Sequence, residues 1–131
     1  MKFMLMMNGG ADSYDEYLGW PKDVRDANVA FMQALGARLR ASGELVSAAG
    51  LAAPSQARRV RMGADGKPFT DGVFPESKEF LAGYWIVDVP SAERAYEIAA
   101  QASAAPGPGG APLNMPIEVR QVMSSLPHDE P

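Results

Sequence analysis

Three charged side chains lie close together in one short segment near the middle of the chain: Asp71, Glu76 and Lys78. A carboxylate just before Gly72, at the mouth of a sheet, is suited to act as a general base, which makes Asp71 a candidate catalytic residue. The ammonium group of Lys78 would hold an acidic ligand, and Glu76 would orient it. The alternative is structural, since an Asp before Gly commonly accepts backbone hydrogen bonds in a turn, and an exposed Glu–Lys pair contributes less than about 1 kcal/mol.

Aromatic residues form a second candidate group. Tyr14, Tyr17 and Trp20 follow a Gly-Gly pair and would form a hydrophobic lid, with Tyr14 contacting a ligand. Tyr84 lies in the most apolar segment of the chain and would supply a proton or a hydrogen bond inside a pocket, as a second candidate catalytic residue. Rings in such positions also serve as packing anchors, and the sequence leaves both interpretations open.

Arg120 is the third candidate. Glu118 and Arg120 are two residues apart near the end of the chain, so they share one face of an extended segment. On a central strand such a charged pair should face a wet cleft or a subunit boundary, because burial of a lone charge is costly. Either the two side chains form a structural Glu–Arg bridge, or Arg120 binds the carboxylate of a ligand.

The chain lacks the residues that several classes of protein function require. The chain has no Cys and a single His, His128, so thiol chemistry, a Ser-His-Asp triad and a His-based metal site are not expected. It also has no phosphate-binding loop, no Gly-x-Ser-x-Gly elbow and no dinucleotide fingerprint. We therefore expect no metal and no cofactor, and any acid–base catalyst must be Asp, Glu, Lys or Tyr.

Charge and hydropathy limit the cellular locations and the binding partners that we expect for the protein. The 131 residues include 12 Lys and Arg against 16 Asp and Glu, a formal net charge of −4. This acidic balance argues against nucleic acid as a partner, because such binding depends on neutralising phosphates. Asn8, Gly9 and Gly10 end the first apolar run before it reaches the length of a signal peptide or a membrane span. Together with the lack of Cys, this predicts a cytoplasmic protein.

Apolar periodicity predicts the elements that must position these residues. Short runs with apolar residues on both faces are typical of strands covered on both sides, and the spacing from Val24 to Leu39 is typical of an amphipathic helix. The predicted strands are 2–7, 44–49, 80–89 and 117–123, with a hairpin of 59–62 and 67–70, and the predicted helices are 22–41 and 91–104. Residues 8–20 and 105–116 are expected to be loops.

This order predicts an α+β fold: a ferredoxin-like split β-α-β sheet with an added hairpin, in two layers with both helices on one face. Composition marks no second domain, so residues 1–131 are expected to form one domain, with a flexible tail at 124–131. The uncovered side of the sheet would expose a larger apolar patch than soluble monomers usually carry. We therefore expect a homodimer in which a second copy packs against this sheet face.

The segment 70–85 reads TDGVFPESKEFLAGYW, with an Asp-Gly pair, a Phe, a Glu, a Lys and a Gly-aromatic pair at fixed spacings. It resembles the signature of the DGPF proteins, a branch of the YCII-related family. The opening MKFML and the closing IEVR also look like that family's first and last strands, so the resemblance covers nearly the whole chain. One position departs from the pattern, because Val73 stands where the family has Pro.

The resemblance implies a dimeric α/β barrel of the ferredoxin-like type and little about chemistry, since most DGPF proteins have no established activity. Related YCII proteins are suspected of enzymatic function through a His–Asp pair in a cleft. That pair is not carried over, because the single His here is His128 in the tail. Family members are often encoded beside sigma-type transcription factors, so the resemblance also implies a sigma-factor-type protein partner.

Three hypotheses about function follow. The first is a cytoplasmic homodimer with a cleft for a small acidic or polar molecule, with Asp71, Lys78, Tyr84 and Arg120 as the polar lining; this hypothesis leaves open whether the protein is an enzyme. The second is a non-catalytic regulatory module whose acidic surface contacts a protein partner rather than DNA. The third is a dimeric scaffold whose cleft has lost its function, and the sequence does not separate it from the other two.

Overall fold

The computed structural model describes residues 1–71 and 79–124 of the chain. Within these ranges most elements begin and end within two residues of the positions that apolar periodicity predicts. The strands are β1 (Lys2–Gly9), β2 (Leu45–Gly50), β3 (Arg59–Met62), β4 (Pro68–Asp71), β5 (Phe80–Asp88) and β6 (Ile117–Gln121), and the helices are α1 (Ser13–Leu18), α2 (Lys22–Ala41) and α3 (Ala92–Ser103).

Four strands form one antiparallel sheet in the order β2-β5-β1-β6. Helix α2 connects β1 to β2, and α3 connects β5 to β6, so two strand–helix–strand units interleave in one sheet. The α+β class predicted from the sequence is confirmed. One detail of the prediction is wrong: β6 lies at the edge of the sheet, whereas its pair of charged residues had suggested a central strand facing a cleft.

The core lies between the sheet and helices α2 and α3. Phe3 and Leu5 of β1 and Val87 of β5 face Leu35 and Leu39 of α2, and all five side chains are buried. Helix α3 contributes mostly small residues, which bring its axis close to the sheet. The buried residues of α3 are Ala95, Ile98, Ala99 and Ala102. Ser91 caps this helix as its sequence predicts, because its side chain accepts a hydrogen bond from the Arg94 N–H at 3.2 Å.

A register shift changes the faces of β5. Met7 pairs with Gly83, but Asn8 pairs with Leu81, so one extra residue bulges out of β5 between them. Cross-strand partners share a face, and the bulge therefore moves Leu81 to the side of Asn8, away from Gly83. Strict alternation had predicted Leu81 and Gly83 on one face, which is wrong because alternation does not hold through a bulge.

Helix α1 occupies part of a segment that was expected to be a loop. It spans six residues and has no buried residue. Asp15 and Glu16 lie in its first turn, where negative charge interacts favourably with the helix N-terminus. Its sequence gave little periodic signal, because a helix this short makes fewer than two turns.

Strands β3 and β4 form a separate two-stranded hairpin. Its apolar side chains do not reach the core: Val60 is 62% exposed and Met62 is 72% exposed. The guanidinium of Arg61 lies 4.8 Å from the ring centre of Phe69, which is its cross-strand partner. The hairpin added to the sheet is thus present as predicted, but it packs little of its apolar surface.

A bidentate ion pair joins the connection between α2 and β2 to helix α3. Arg94 Nε donates to Glu44 Oε2 at 2.7 Å, and its Nη2 donates to Oε1 at 2.9 Å. The Ser42 hydroxyl also donates to Glu44. Hydrogen bonds from Arg94 and Ser42 lower the pKa of Glu44 to about 2, and hydrogen bonds to Glu44 and Glu97 raise the pKa of Arg94.

Glu44→Gln is expected to lower the free energy of unfolding at pH 7 by about 1–2 kcal/mol, because it removes a charge-assisted pair at a partly exposed site. The carboxylate loses a proton more readily in the folded chain than in the unfolded one, so its contribution is present above the unfolded pKa of 4.5 and is lost as pH falls toward about 2. Urea denaturation at several pH values measures both effects.

Asp26→Asn is the control, because the Lys22–Asp26 pair is well exposed and should change stability by less than about 0.5 kcal/mol. A difference between Glu44→Gln and wild type that stays constant from pH 7 to pH 3 would contradict this account of Glu44.

Candidate functional site

A cavity of about 740 Å³ lies beside the end of β1 and the first half of β5, bordered by α1 and α2. Its volume falls in the range of sites that enclose small molecules. Residues 80–85 all border it, so the cavity reaches both faces of β5 at this end of the strand. It is therefore covered by the helices on one side and reaches the uncovered sheet face on the other.

Aromatic side chains form much of the wall. Tyr14 and Tyr17 come from α1, and Trp20 follows in the connection to α2. The rings of Tyr17 and Trp20 are 5.3 Å apart and tilted by 58°, a favourable ring-to-ring arrangement. Tyr14, Tyr17 and Trp20 are half-buried, so this segment covers the cavity without being part of the core.

Among the glycines that border the cavity, one lies in helix α2 and one in strand β5. Gly36 lies inside α2, where glycine costs about 1 kcal/mol relative to alanine, and a Cβ built there would meet no atom within 4 Å. Gly83 lies in β5, where a Cβ would lie 3.0 Å from the Ala49 carbonyl oxygen. The helix thus gives up stability at a position that borders the cavity, and a Cβ at Gly83 would require the neighbouring strand to shift by a few tenths of an ångström.

The loop after α3 closes a further side of the cavity. Leu113 and Met115 lie in its wall, and the loop is tied back to the helices by two side-chain hydrogen bonds. Asn28 Nδ2 donates to the Pro106 carbonyl at 3.0 Å, and the Ser103 hydroxyl donates to the Met115 carbonyl at 2.7 Å. The loop predicted for residues 105–116 therefore borders the cavity.

The structure brings two of the predicted site residues together. Tyr14 and Tyr84 both line the cavity. Arg120 does not: it is exposed on β6 and pairs with Met4 on the sheet face away from the helices. Asp71 ends β4, opposite Arg59 in the hairpin. Glu76 and Lys78 lie outside the described residues, as does His128, and the roles assigned to all these residues stay predictions.

Some lining residues were missed by the sequence reading. Gly36, Asn28 and Met115 line the cavity, and none of them was a candidate. For Gly36 a signal existed, because a glycine inside an otherwise regular helical pattern lowers helix stability and needs a reason. For Asn28 and Met115 there was none, since their position at the cavity depends on how the loop after α3 folds back onto α2.

The described residues offer neither a metal site nor a membrane-spanning helix. In residues 1–71 and 79–124, no three Asp, Glu or His side chains are placed to hold a metal ion. No helix in the same ranges is both long enough and apolar enough to cross a membrane.

The chain matches the family model of the YCII-related domain over residues 1–110. This range includes β1 to β5 and all three helices, and therefore most of the cavity wall. No curated protein matches the chain.

Proposed function

The chain belongs to the YCII-related family, and from that premise we propose that it is a cytoplasmic homodimer that binds a small molecule in the cavity between its sheet and helices. The observation that carries the proposal is the cavity itself, which is large, lined with rings and bordered by a glycine inside a helix. A fold that only needed stability would gain by placing alanine at Gly36. The lower helix stability that Gly36 causes supports a binding role for the cavity that it borders.

The uncovered sheet face supports the dimer. Met4, Met6, Tyr84 and Ile86 lie on it in neighbouring cross-strand positions and are only half-buried in one chain. At its edge, Glu118 and Arg120 place one negative and one positive charge on the same face. A two-fold interface must be complementary to itself, which an apolar centre beside one charge of each sign satisfies. In such a dimer the second copy would close the part of the cavity that reaches this face.

If the protein is an enzyme, tyrosine hydroxyl and aspartate carboxyl groups would carry out its acid–base chemistry. Tyr84 would donate a proton to a ligand in the cavity, and Tyr14 would hold the ligand from α1. Asp71 would act as the base, while Glu76, Lys78 and Arg120 would bind polar groups of the ligand. Only the two tyrosines have support from the cavity lining.

Gly36→Leu is expected to abolish small-molecule binding and leave the dimer intact, because the added side chain enters the cavity rather than the core. Native mass spectrometry of gently purified protein measures both properties at once. We expect wild type at the mass of two chains with a bound small molecule, and Gly36→Leu at the mass of two chains without it. Gly36→Ala, which adds only a Cβ, should raise the free energy of unfolding by up to about 1 kcal/mol.

Ala34→Leu is the matched control, since Ala34 is exposed on the same helix and does not line the cavity. This variant should retain the bound molecule. An adduct that is as abundant in Gly36→Leu as in wild type would show that the molecule binds elsewhere, and the proposal would be wrong.

A second function, recognition of a protein partner of the sigma-factor type, is favoured by the hairpin. Val60 and Met62 are 62% and 72% exposed, and exposed apolar side chains that fill no core commonly mark a contact surface. Met62→Ser should then weaken binding to a purified sigma-type factor, while Gly36→Leu should leave it unchanged. The reverse result would assign the partner to the cavity side and not to the hairpin.

A further inference from the structure

We propose that the cavity binds an uncharged ring compound that carries a hydroxyl group, such as a phenol or a hydroxylated polycyclic molecule. This inference rests on the proposed function, because it names the ligand class of the same cavity. The sequence predicts a small acidic or polar ligand, and this inference keeps a polar group but not an acidic one. Three properties of the wall support it: its apolar groups, the position of its charges and the state of its hydrogen-bonding groups.

The apolar part of the wall combines rings with thioethers. Its methionines come from β1, from α2 and from the loop after α3, so they surround the cavity rather than lining one side. These residues are Met7, Met32 and Met115, and the tryptophans Trp20 and Trp85 also line the cavity. Methionine sulfur makes favourable contacts with aromatic rings, and aromatic side chains favour offset or edge-to-face contact with a further ring. A flat ring compound gains from both kinds of contact.

The charges of the wall lie outside its buried part. In the described residues the charged lining side chains are Glu16 and Arg40, and both are exposed. A carboxylate or an ammonium group deep in the cavity would lose its hydration without gaining a buried partner of opposite charge. Because that loss is expensive, the cavity favours a neutral ligand.

Some polar side chains of the wall have already used a donor in hydrogen bonds within the chain. Three of them donate to backbone carbonyls, at 2.6, 3.0 and 2.7 Å respectively: Ser13 to Gly10, Asn28 to Pro106 and Ser103 to Met115. A serine hydroxyl has one proton, so both serine oxygens now offer only lone pairs, and the Asn28 Oδ1 is an acceptor in any case. A hydroxyl group on the ligand would donate to one of these acceptors, and it would also accept from the tyrosine hydroxyls of the wall.

Three naphthalene probes of nearly equal size separate these features. 2-Naphthol is neutral and has a donor, 2-methoxynaphthalene is neutral and has none, and 2-naphthoate is an anion at pH 7. Isothermal titration of the full chain is expected to show 2-naphthol binding tightest. We expect 2-methoxynaphthalene to bind about fivefold more weakly, for one lost hydrogen bond, and 2-naphthoate at least about tenfold more weakly. Gly36→Leu should abolish binding of 2-naphthol, and Ala34→Leu should not.

Each contrary result has a distinct meaning. Binding of 2-naphthoate as tight as that of 2-naphthol, lost in Gly36→Leu, would overturn the neutral ligand class and leave the cavity as a binding site. Equal binding of 2-naphthol and 2-methoxynaphthalene would contradict the proposed role of a hydroxyl group on the ligand. If no probe binds, this inference fails, whereas the proposed function fails only if wild type also lacks a Gly36-dependent adduct in its native mass spectrum.

Discussion

Ile86→Glu is expected to convert the proposed dimer into monomers, weakening self-association at least about 100-fold, or about 3 kcal/mol. Ile86 lies near the centre of the uncovered sheet face, between Met4 of β1 and Ser47 of β2. A carboxylate there stays hydrated in a single chain but would lose its water against a second sheet. Analytical ultracentrifugation over a range of concentrations measures the change.

Two further variants show whether the effect comes from the interface. Ile86→Leu keeps an apolar side chain of the same volume and should retain the dimer. Gln101→Glu adds the same charge on an exposed position of α3 and should retain it too. If Ile86→Glu sediments as wild type does, the sheet face is not the contact between the two copies. The proposal that a second chain closes the cavity would then be wrong.

Leu5→Ala is expected to lower the free energy of unfolding by about 3 kcal/mol, within the range of about 2–5 kcal/mol for buried leucines. Leu5 is fully buried on β1, which has a neighbouring strand on each side, and its cross-strand partners are Trp85 and Val119. Truncation leaves a void that strands held on both sides cannot close. Denaturation in urea, monitored by tryptophan fluorescence and by circular dichroism, gives the value.

Leu18→Ala provides the comparison, because Leu18 is 46% exposed on α1. The same truncation there should change stability by less than about 0.5 kcal/mol. A similar loss in both variants would mean that α1 is as tightly packed as the core, which would contradict its description as a cover over the cavity.

The sheet and the two long helices could be predicted because burial leaves a periodic trace in the sequence. The α2 helix spans the predicted range, and α3 begins and ends within one residue of its predicted range. Features without such a trace were missed. Helix α1 is too short to show a period, and the bulge opposite Met7 and Asn8 breaks the alternation on which the faces of β5 were assigned.

The candidate site was predicted less well, because its parts meet only in three dimensions. Tyr14 and Tyr84 were chosen as rings in or near apolar segments, and both line the cavity. Arg120 was chosen because charge on a central strand needs a partner, but β6 is an edge strand, where charge is exposed at little cost. Gly36 contributes by having no side chain, and a search for reactive groups passes over such a residue.

The order of strands in the sheet also governs how the chain folds as it is synthesised. Strand β1 ends at Gly9, yet both of its neighbours come much later, β5 from Phe80 and β6 from Ile117. While the ribosome is making the residues in between, the apolar segment Phe3–Met7 has no sheet partner to pair with. Contacts so distant in sequence make folding slow, and an unpaired apolar strand invites aggregation. We therefore expect early packing of α2 against this segment to protect it until β5 emerges.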